Sequence, residues 1–234
     1  MKILHYLTGI LCTFSLILVL LISSFEWAVY GDMGYFEREY RKYDVLEDVR
    51  MEMDDLMEVT REMMDYLRGD REDLHIQTTI AGESREFFNE REILHMEDVR
   101  NLFLGGLVVR RVCLLLCLAC LAALFFLKAD WKKTFPRCVQ WGTGLFFAVL
   151  ALLTAAVVSD FNKYFVIFHK IFFSNDLWIL DPATDLLINI VPEPFFMDTA
   201  ARIGLTFGIS VLVLLGVGTG FRIYFKKKEK VSHV

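Results

Sequence analysis

Apolar residues in this chain gather into four long runs separated by charged stretches. A window of about 20 apolar residues spans the roughly 30 Å hydrocarbon core of a bilayer. Windows at about 3–28, 107–127, 139–158 and 203–225 reach that length. The third has no charge between its ends, and the fourth has none until Arg222 near its close. The second contains Arg110 and Arg111; long arginine stems can snorkel to the headgroups, so the span is expected to begin near the surface. The first exceeds the 7–15-residue apolar region of a signal peptide and has no clear small-residue cleavage site, so it reads as a retained anchor. The pattern predicts an all-α membrane protein, four transmembrane helices with a small, mainly helical extracellular cap.

The polar connections have periodicities of their own. Over 44–68, Leu46, Val49, Met53, Leu56, Met63 and Leu67 recur at alternating three- and four-residue intervals. They predict one amphipathic helix stopped by Gly69. Residues 74–80 have short-strand character, with His75 exposed. A second helix is expected from Ser84, which would cap its first turn, with Phe87 and Phe88 turned to the membrane. It runs through His95 to the second span. Beyond Ser159-Asp160, Phe161, Tyr164, Phe165, Phe168 and Phe172 mark an amphipathic helix suited to the headgroup level. Asn175-Asp176 and Asp181-Pro182 read as turns, and Pro192 and Pro194 are expected to break the backbone before the fourth span.

Charge orients this layout. Lys2 precedes the first span, Lys128, Lys132, Lys133 and Arg137 fill the link between the second and third, and Lys226, Lys227, Lys228 and Lys230 follow the fourth. With four spans all these lie on one side, which the positive-inside rule assigns to the cytoplasm. Residues 31–100 hold 21 acidic and 10 basic residues, a balance of −11, against 9 and 15, or +6, for the rest. The chain total of −5 conceals this contrast, and the pattern gives no hint of nucleic-acid binding. The expected segments are helix 1 over 1–28, cap over 29–101, helix 2 over 102–127, cytoplasmic loop over 128–138 and helix 3 over 139–158. The second part of the cap over 159–200, helix 4 over 201–225 and a cytoplasmic tail over 226–234 follow. The cysteines Cys12, Cys113, Cys117, Cys120 and Cys138 all lie within or at the ends of spans, which leaves no structural disulfide in the exported region. The spacing of Cys113, Cys117 and Cys120 puts them on one helix face, where small packing residues are expected.

Candidate chemistry centres on two histidines beside the spans, because imidazole exchanges protons near neutral pH. His95 is flanked by Glu92 and Asp98 at three-residue intervals, where a carboxylate can orient the ring or raise its basicity. His169 borders the aromatic stripe. Phe172, Phe173, Trp178 and Phe196 are candidates for a pocket wall, with Glu193 and Arg202 as supporting residues; Arg202 could equally anchor the fourth span. There is no G-x-S-x-G elbow, P-loop or H-E-x-x-H. The spans contain no internal Asp or Glu, which argues against a proton-coupled transporter. Three readings remain: a membrane enzyme whose substrate supplies the nucleophile, a metal-dependent membrane hydrolase with zinc held by the two histidines and a carboxylate, and a non-catalytic adaptor with an acidic external cap.

The segments Phe88-Asn-Glu-Arg-Glu-Ile-Leu-His-Met-Glu-Asp-Val-Arg100, Phe168-His-Lys-Ile-Phe-Phe-Ser-Asn-Asp-Leu-Trp-Ile-Leu-Asp-Pro182 and Ile190-Val-Pro-Glu-Pro-Phe-Phe196 resemble signatures of the lipoprotein intramolecular transacylase (Lit) family. The resemblance covers nearly the whole chain. It implies four membrane helices with an extracellular cap, a multi-pass place in a bacterial cell membrane with both termini cytoplasmic, and two catalytic histidines, here His95 and His169. It also implies movement of the sn-2 acyl chain of a diacylglyceryl-modified lipoprotein to the amino group of its N-terminal cysteine, giving the lyso form. Diacylglyceryl lipoproteins and membrane lipid are then the expected partners, with no cofactor, no metal and no obligate protein partner. The aromatic surroundings of His169 suggest the base role, and the carboxylates near His95 suggest that it carries the proton more readily.

Overall fold

The computed structural model describes residues 2–231. Lys2, Lys132, Lys228 and Lys230, used above to orient the chain, have side chains outside the described residues, as has the rest of the tail beyond Lys227. The elements run α1 (Lys2–Tyr30), α2 (Gly34–Lys42), α3 (Val45–Val49), α4 (Met53–Arg68), β1 (Gln77–Ile80), β2 (Glu83–Glu86), α5 (Glu90–Phe126), α6 (Trp131–Ser159), α7 (Phe161–Phe172), α8 (Leu186–Ile190) and α9 (Glu193–Val231). Among the described residues, four helices are long and apolar enough to cross a membrane: Ile3–Tyr30, Glu90–Phe126, Lys133–Ser159 and Glu193–Lys227. The protein is an all-α membrane protein, and among the described residues the β structure is one two-stranded hairpin. The chain divides into a membrane unit of residues 1–25, 108–161 and 204–234, and a polar unit of 26–107 and 162–203.

In the membrane unit, Ile17, Phe207 and Val211 are buried with Phe146 and Phe147 against them. Small residues set the close approaches. A Cβ on Gly142 would lie 2.7 Å from Thr13 Cγ2, and one on Gly218 would lie 2.9 Å from Val139 Cγ1. Such contacts bring helix backbones together where no hydrophobic drive between helices exists. Cys12, Cys117 and Cys120 form a small packing cluster, with free thiols. The link after α5 is shorter than the sequence suggests. Lys128 takes a left-handed conformation with φ 50°, Ala129 N–H donates to Leu124 O, and α6 starts at Trp131. Most of the expected 128–138 loop is therefore helix.

The polar unit is built on aromatic and methionine packing. Tyr35, Phe36 and Tyr40 of α2 meet the edge of Phe195 at 5.8–6.0 Å between ring centroids. Leu56, Val59, Met63 and Leu67 of α4 are buried, and Tyr40 shares a 2.7 Å hydrogen bond with Thr60. Gly69 ends α4 with φ 90°, its N–H turned back to Tyr66 O, as its place in the sequence predicts. The single helix expected over 44–68 is not formed. Arg50 adopts φ 54°, Met51 N–H turns back to Leu46 O, and the carbonyl of Arg50 accepts the N–H of Ala81 at the hairpin tip. A contact distant in sequence thus fixes the break. β1 and β2 pair antiparallel across Ala81-Gly82, both at positive φ, as a tight hairpin turn requires.

Three further expectations are corrected. Ser84 lies in β2 and caps no helix. Phe87 and Phe88 are buried against each other at 4.7 Å instead of facing lipid. Pro192 stands in the two-residue break between α8 and α9, as expected, and its carbonyl accepts Phe196 N–H, but Pro194 makes no break and lies in the first turn of α9. In a first helical turn the missing proline N–H is one the helix would leave unused.

Candidate functional site

The start of α5 explains how His95 is placed. Asn89 Oδ1 accepts the N–H of Glu92 at 3.0 Å, and Glu92 Oε2 accepts the N–H of Asn89 at 2.7 Å. This reciprocal pair is a capping box with Asn in the cap position. The other oxygen of Glu92 accepts Leu187 N–H at 2.6 Å, so one wholly buried carboxylate closes α5 and holds the start of α8. Burial pushes its pKa up, against the pull of the backbone N–H groups of Leu187 and Asn89. Glu92 is therefore an anchor of the helix. Its carboxylate oxygens are directed to backbone groups and do not orient the His95 ring.

His95 follows one turn later, twelve residues ahead of the apolar run that starts at 107. It is buried. Its ring lies 6.2 Å from that of His169 between centroids. Burial pushes the His95 pKa down to about 4; the neighbouring His169 adds to this and Asp98 opposes it. The expectation that flanking carboxylates make His95 the more readily protonated ring is overturned, because loss of water outweighs Asp98 and Glu92 faces elsewhere. Its Nδ1 is buried without a hydrogen-bond partner among the described residues, so no protein group fixes its tautomer there.

His169, in the last turn of α7, is buried on the helix side facing these groups. Its Nδ1 lies 2.8 Å from the carbonyl oxygen of Phe165, four residues back. A carbonyl only accepts, so Nδ1 carries the hydrogen and Nε2 keeps its lone pair. Burial lowers the pKa of this ring too, partly offset by the Phe165 carbonyl. Trp178 stacks on the imidazole at 4.8 Å and 30°, and Phe165 lies at 4.1 Å. Phe173 lies 5.5 Å from both imidazoles.

The sequence candidates separate by position. Phe173 and Trp178 touch imidazole rings. Phe172 and Phe196 stand one ring further out, against Phe168 at 4.7 Å and Phe165 at 5.6 Å. Asp98 accepts a hydrogen bond from Asn175 at 2.8 Å. Glu193 is exposed in the first turn of α9. Arg202 lies over Tyr35 at 4.3 Å and near Asp32 at 4.0 Å, an anchoring position within the aromatic cluster. Sequence reasoning gave no site role to Asn89, Arg91 or Asn175, the last read only as part of a turn. Asn89 was detectable as the first residue of an Asn-x-x-Glu capping box. Arg91 donates to the carbonyls of Asp176 and Ile179, which no local pattern announces.

A family model for the lipoprotein intramolecular transacylase Lit matches residues 10–196. No curated protein sequence matches the chain. Among solved structures, the membrane-integral lipoprotein intramolecular transacylase Lit from Bacillus cereus superposes with a TM-score of 0.77 at 22% identity, covering 99% of this chain and 100% of that one. A variant of the same protein with a histidine-to-alanine substitution gives 0.76 at 22% identity, covering 98% and 97%. A histidine-to-arginine variant gives 0.74 at 22% identity, covering 99% and 96%.

Proposed function

The chain belongs to the lipoprotein intramolecular transacylase family, whose members are acyltransferases, and on that premise we propose that His95 and His169 carry the transfer. The substrate is a diacylglyceryl-modified lipoprotein at the outer face of a bacterial membrane. Its N-terminal amino group attacks the sn-2 ester carbonyl, an amide forms, and the glycerol oxygen leaves as a hydroxyl. Nucleophile and acyl group belong to one molecule, so holding them in register replaces a bimolecular encounter, worth up to about 7–11 kcal/mol in favourable cases. The observation that carries the reading is the Nδ1 contact of His169 with its own helix, which leaves Nε2 as a free acceptor beside a second imidazole.

As the amine adds to the carbonyl, His169 Nε2 takes a proton from nitrogen. Collapse of the tetrahedral centre breaks the bond to the glycerol oxygen, which receives that proton, and the imidazole returns to its neutral form. His95 enters neutral and presents a ring N–H to the developing oxyanion. The transferred chain never bonds to the protein, so the reaction requires no serine or cysteine nucleophile. Positive-inside charge supports a cytoplasmic location for both termini and an external one for the polar unit, which acts as a cap.

Mass spectrometry of a reporter lipoprotein's N-terminal lipopeptide tests the proposal. Cells with the wild-type chain should convert diacylglyceryl-cysteine to an N-acyl, monoacylglyceryl isomer of equal mass, with fragmentation locating the moved chain. His95→Ala and His169→Ala should each abolish the conversion. Loss of one acyl mass would mark a hydrolase, and no change with well-inserted protein would favour the adaptor.

A further inference from the structure

The segment after α7 carries Trp178, the ring stacked on His169, yet it has no helix or strand of its own between Phe172 and Leu186. Two side chains of α5 grip it from outside. Arg91 holds the carbonyls of Asp176 and Ile179, and Asp98, one turn past His95, accepts the amide N–H of Asn175 at 2.8 Å. Asn175 uses its remaining groups within the segment. Its side-chain oxygen accepts Leu177 N–H at 3.0 Å, and its backbone carbonyl accepts the indole Nε1–H of Trp178 at 3.0 Å. One residue therefore joins the His95 helix, the bend of the segment and the plane of the indole.

We propose that Asn175 is a positioning residue for the transfer: through Asp98 and Trp178 it holds the indole flat against His169, in register with the helix that bears His95. The inference rests on the two-histidine reading above. The indole face favours a cation, so a fixed stack stabilises the imidazolium that forms while His169 holds the proton. This contribution arises during the reaction and not on substrate binding, and so belongs in kcat.

The test is single-turnover and steady-state transfer on a synthetic diacylglyceryl lipopeptide, using the full-length protein in lipid. Asn175→Ala removes both the donor to Asp98 and the acceptor for Leu177, and should lower kcat about tenfold with KM within about twofold, the scale of one hydrogen bond to a charged group. Asn175→Asp places two carboxylates together and should do the same. The double variant Asp98→Asn with Asn175→Asp restores one donor, one carboxylate and the Leu177 acceptor, and should recover kcat to within about threefold of wild type. Unchanged kcat in Asn175→Ala would overturn the inference. So would a double variant no better than its parents, which would mark a merely structural role. His169→Ala in the same assay separates the two levels: full transfer by that variant would overturn the two-histidine reading and the inference with it.

Discussion

At the scale of single residues, the proposed chemistry depends on keeping two imidazoles neutral. Burial disfavours the charged ring, so each stays a base at pH values where an ordinary histidine, near 6.5, would be protonated; for His95 the value falls to about 4. The substrate's α-amino group titrates near about 8 and must be neutral to attack. Transfer rate should therefore rise tenfold per pH unit below 8, and this slope of one should continue through pH 6.5. A second titration at the enzyme would steepen it to two there, and a pH–rate profile at subsaturating lipopeptide distinguishes the cases. Glu92 gives a stability prediction. Glu92→Ala leaves backbone donors of Asn89 and Leu187 unanswered and should cost about 2–3 kcal/mol, seen as a lower Tm in detergent. The two histidines were legible because polar, titratable residues beside a span are conspicuous. Their partners were not, since Asn175 meets Asp98 across 77 residues and Glu92 meets Leu187 across 95.

At the scale of elements, runs of apolar residues marked the spans but not the helices that contain them. α5 starts at Glu90, twelve residues before the span expected from 102 and six after the Ser84 start expected for the helix leading into it, and α9 starts eight before the expected 201, because capping box and proline start signals lie in polar sequence that hydropathy ignores. Gly69 was readable, and its conformation is testable. At φ 90° a side chain is strained, and a Cβ would also come within 3.3 Å of Leu104 Cδ2. Gly69→Ala should destabilise the polar unit by about 1–2 kcal/mol, measured by thermal unfolding, whereas alanine at Gly105, which meets no neighbour within 4 Å, should not. The break at Arg50 could not be read from periodicity. Leu46, Val49 and Met53 keep the helical spacing across it, and only the Ala81 N–H, 31 positions later, gives the left-handed turn its purpose.

For the whole molecule, composition carried much of the information. Four apolar runs indicate a membrane protein, and the separation of −11 over 31–100 from +6 over the rest supports the proposed orientation through the positive-inside rule. Orientation is checked with cysteines introduced one at a time into a variant lacking the native five. Glu83→Cys, at the exposed hairpin, should react with a membrane-impermeant maleimide on intact cells. Lys133→Cys, exposed at the start of α6, should react only after permeabilisation. The reverse pattern would invert the topology.

The tie between Glu92 and Leu187 also has a consequence for biosynthesis. The N-terminal turn of the helix bearing His95 lacks one of its fastenings until a residue 95 positions later has been made. At about 5–20 residues per second, this leaves roughly 5–20 s during which the ribosome has delivered His95 but not the backbone group that helps to lock its helix. His169, His95's counterpart, also emerges within that interval. The proposed histidine pair is therefore complete in sequence before the Glu92–Leu187 fastening can form, and that fastening waits for the segment beyond the third span to be synthesised.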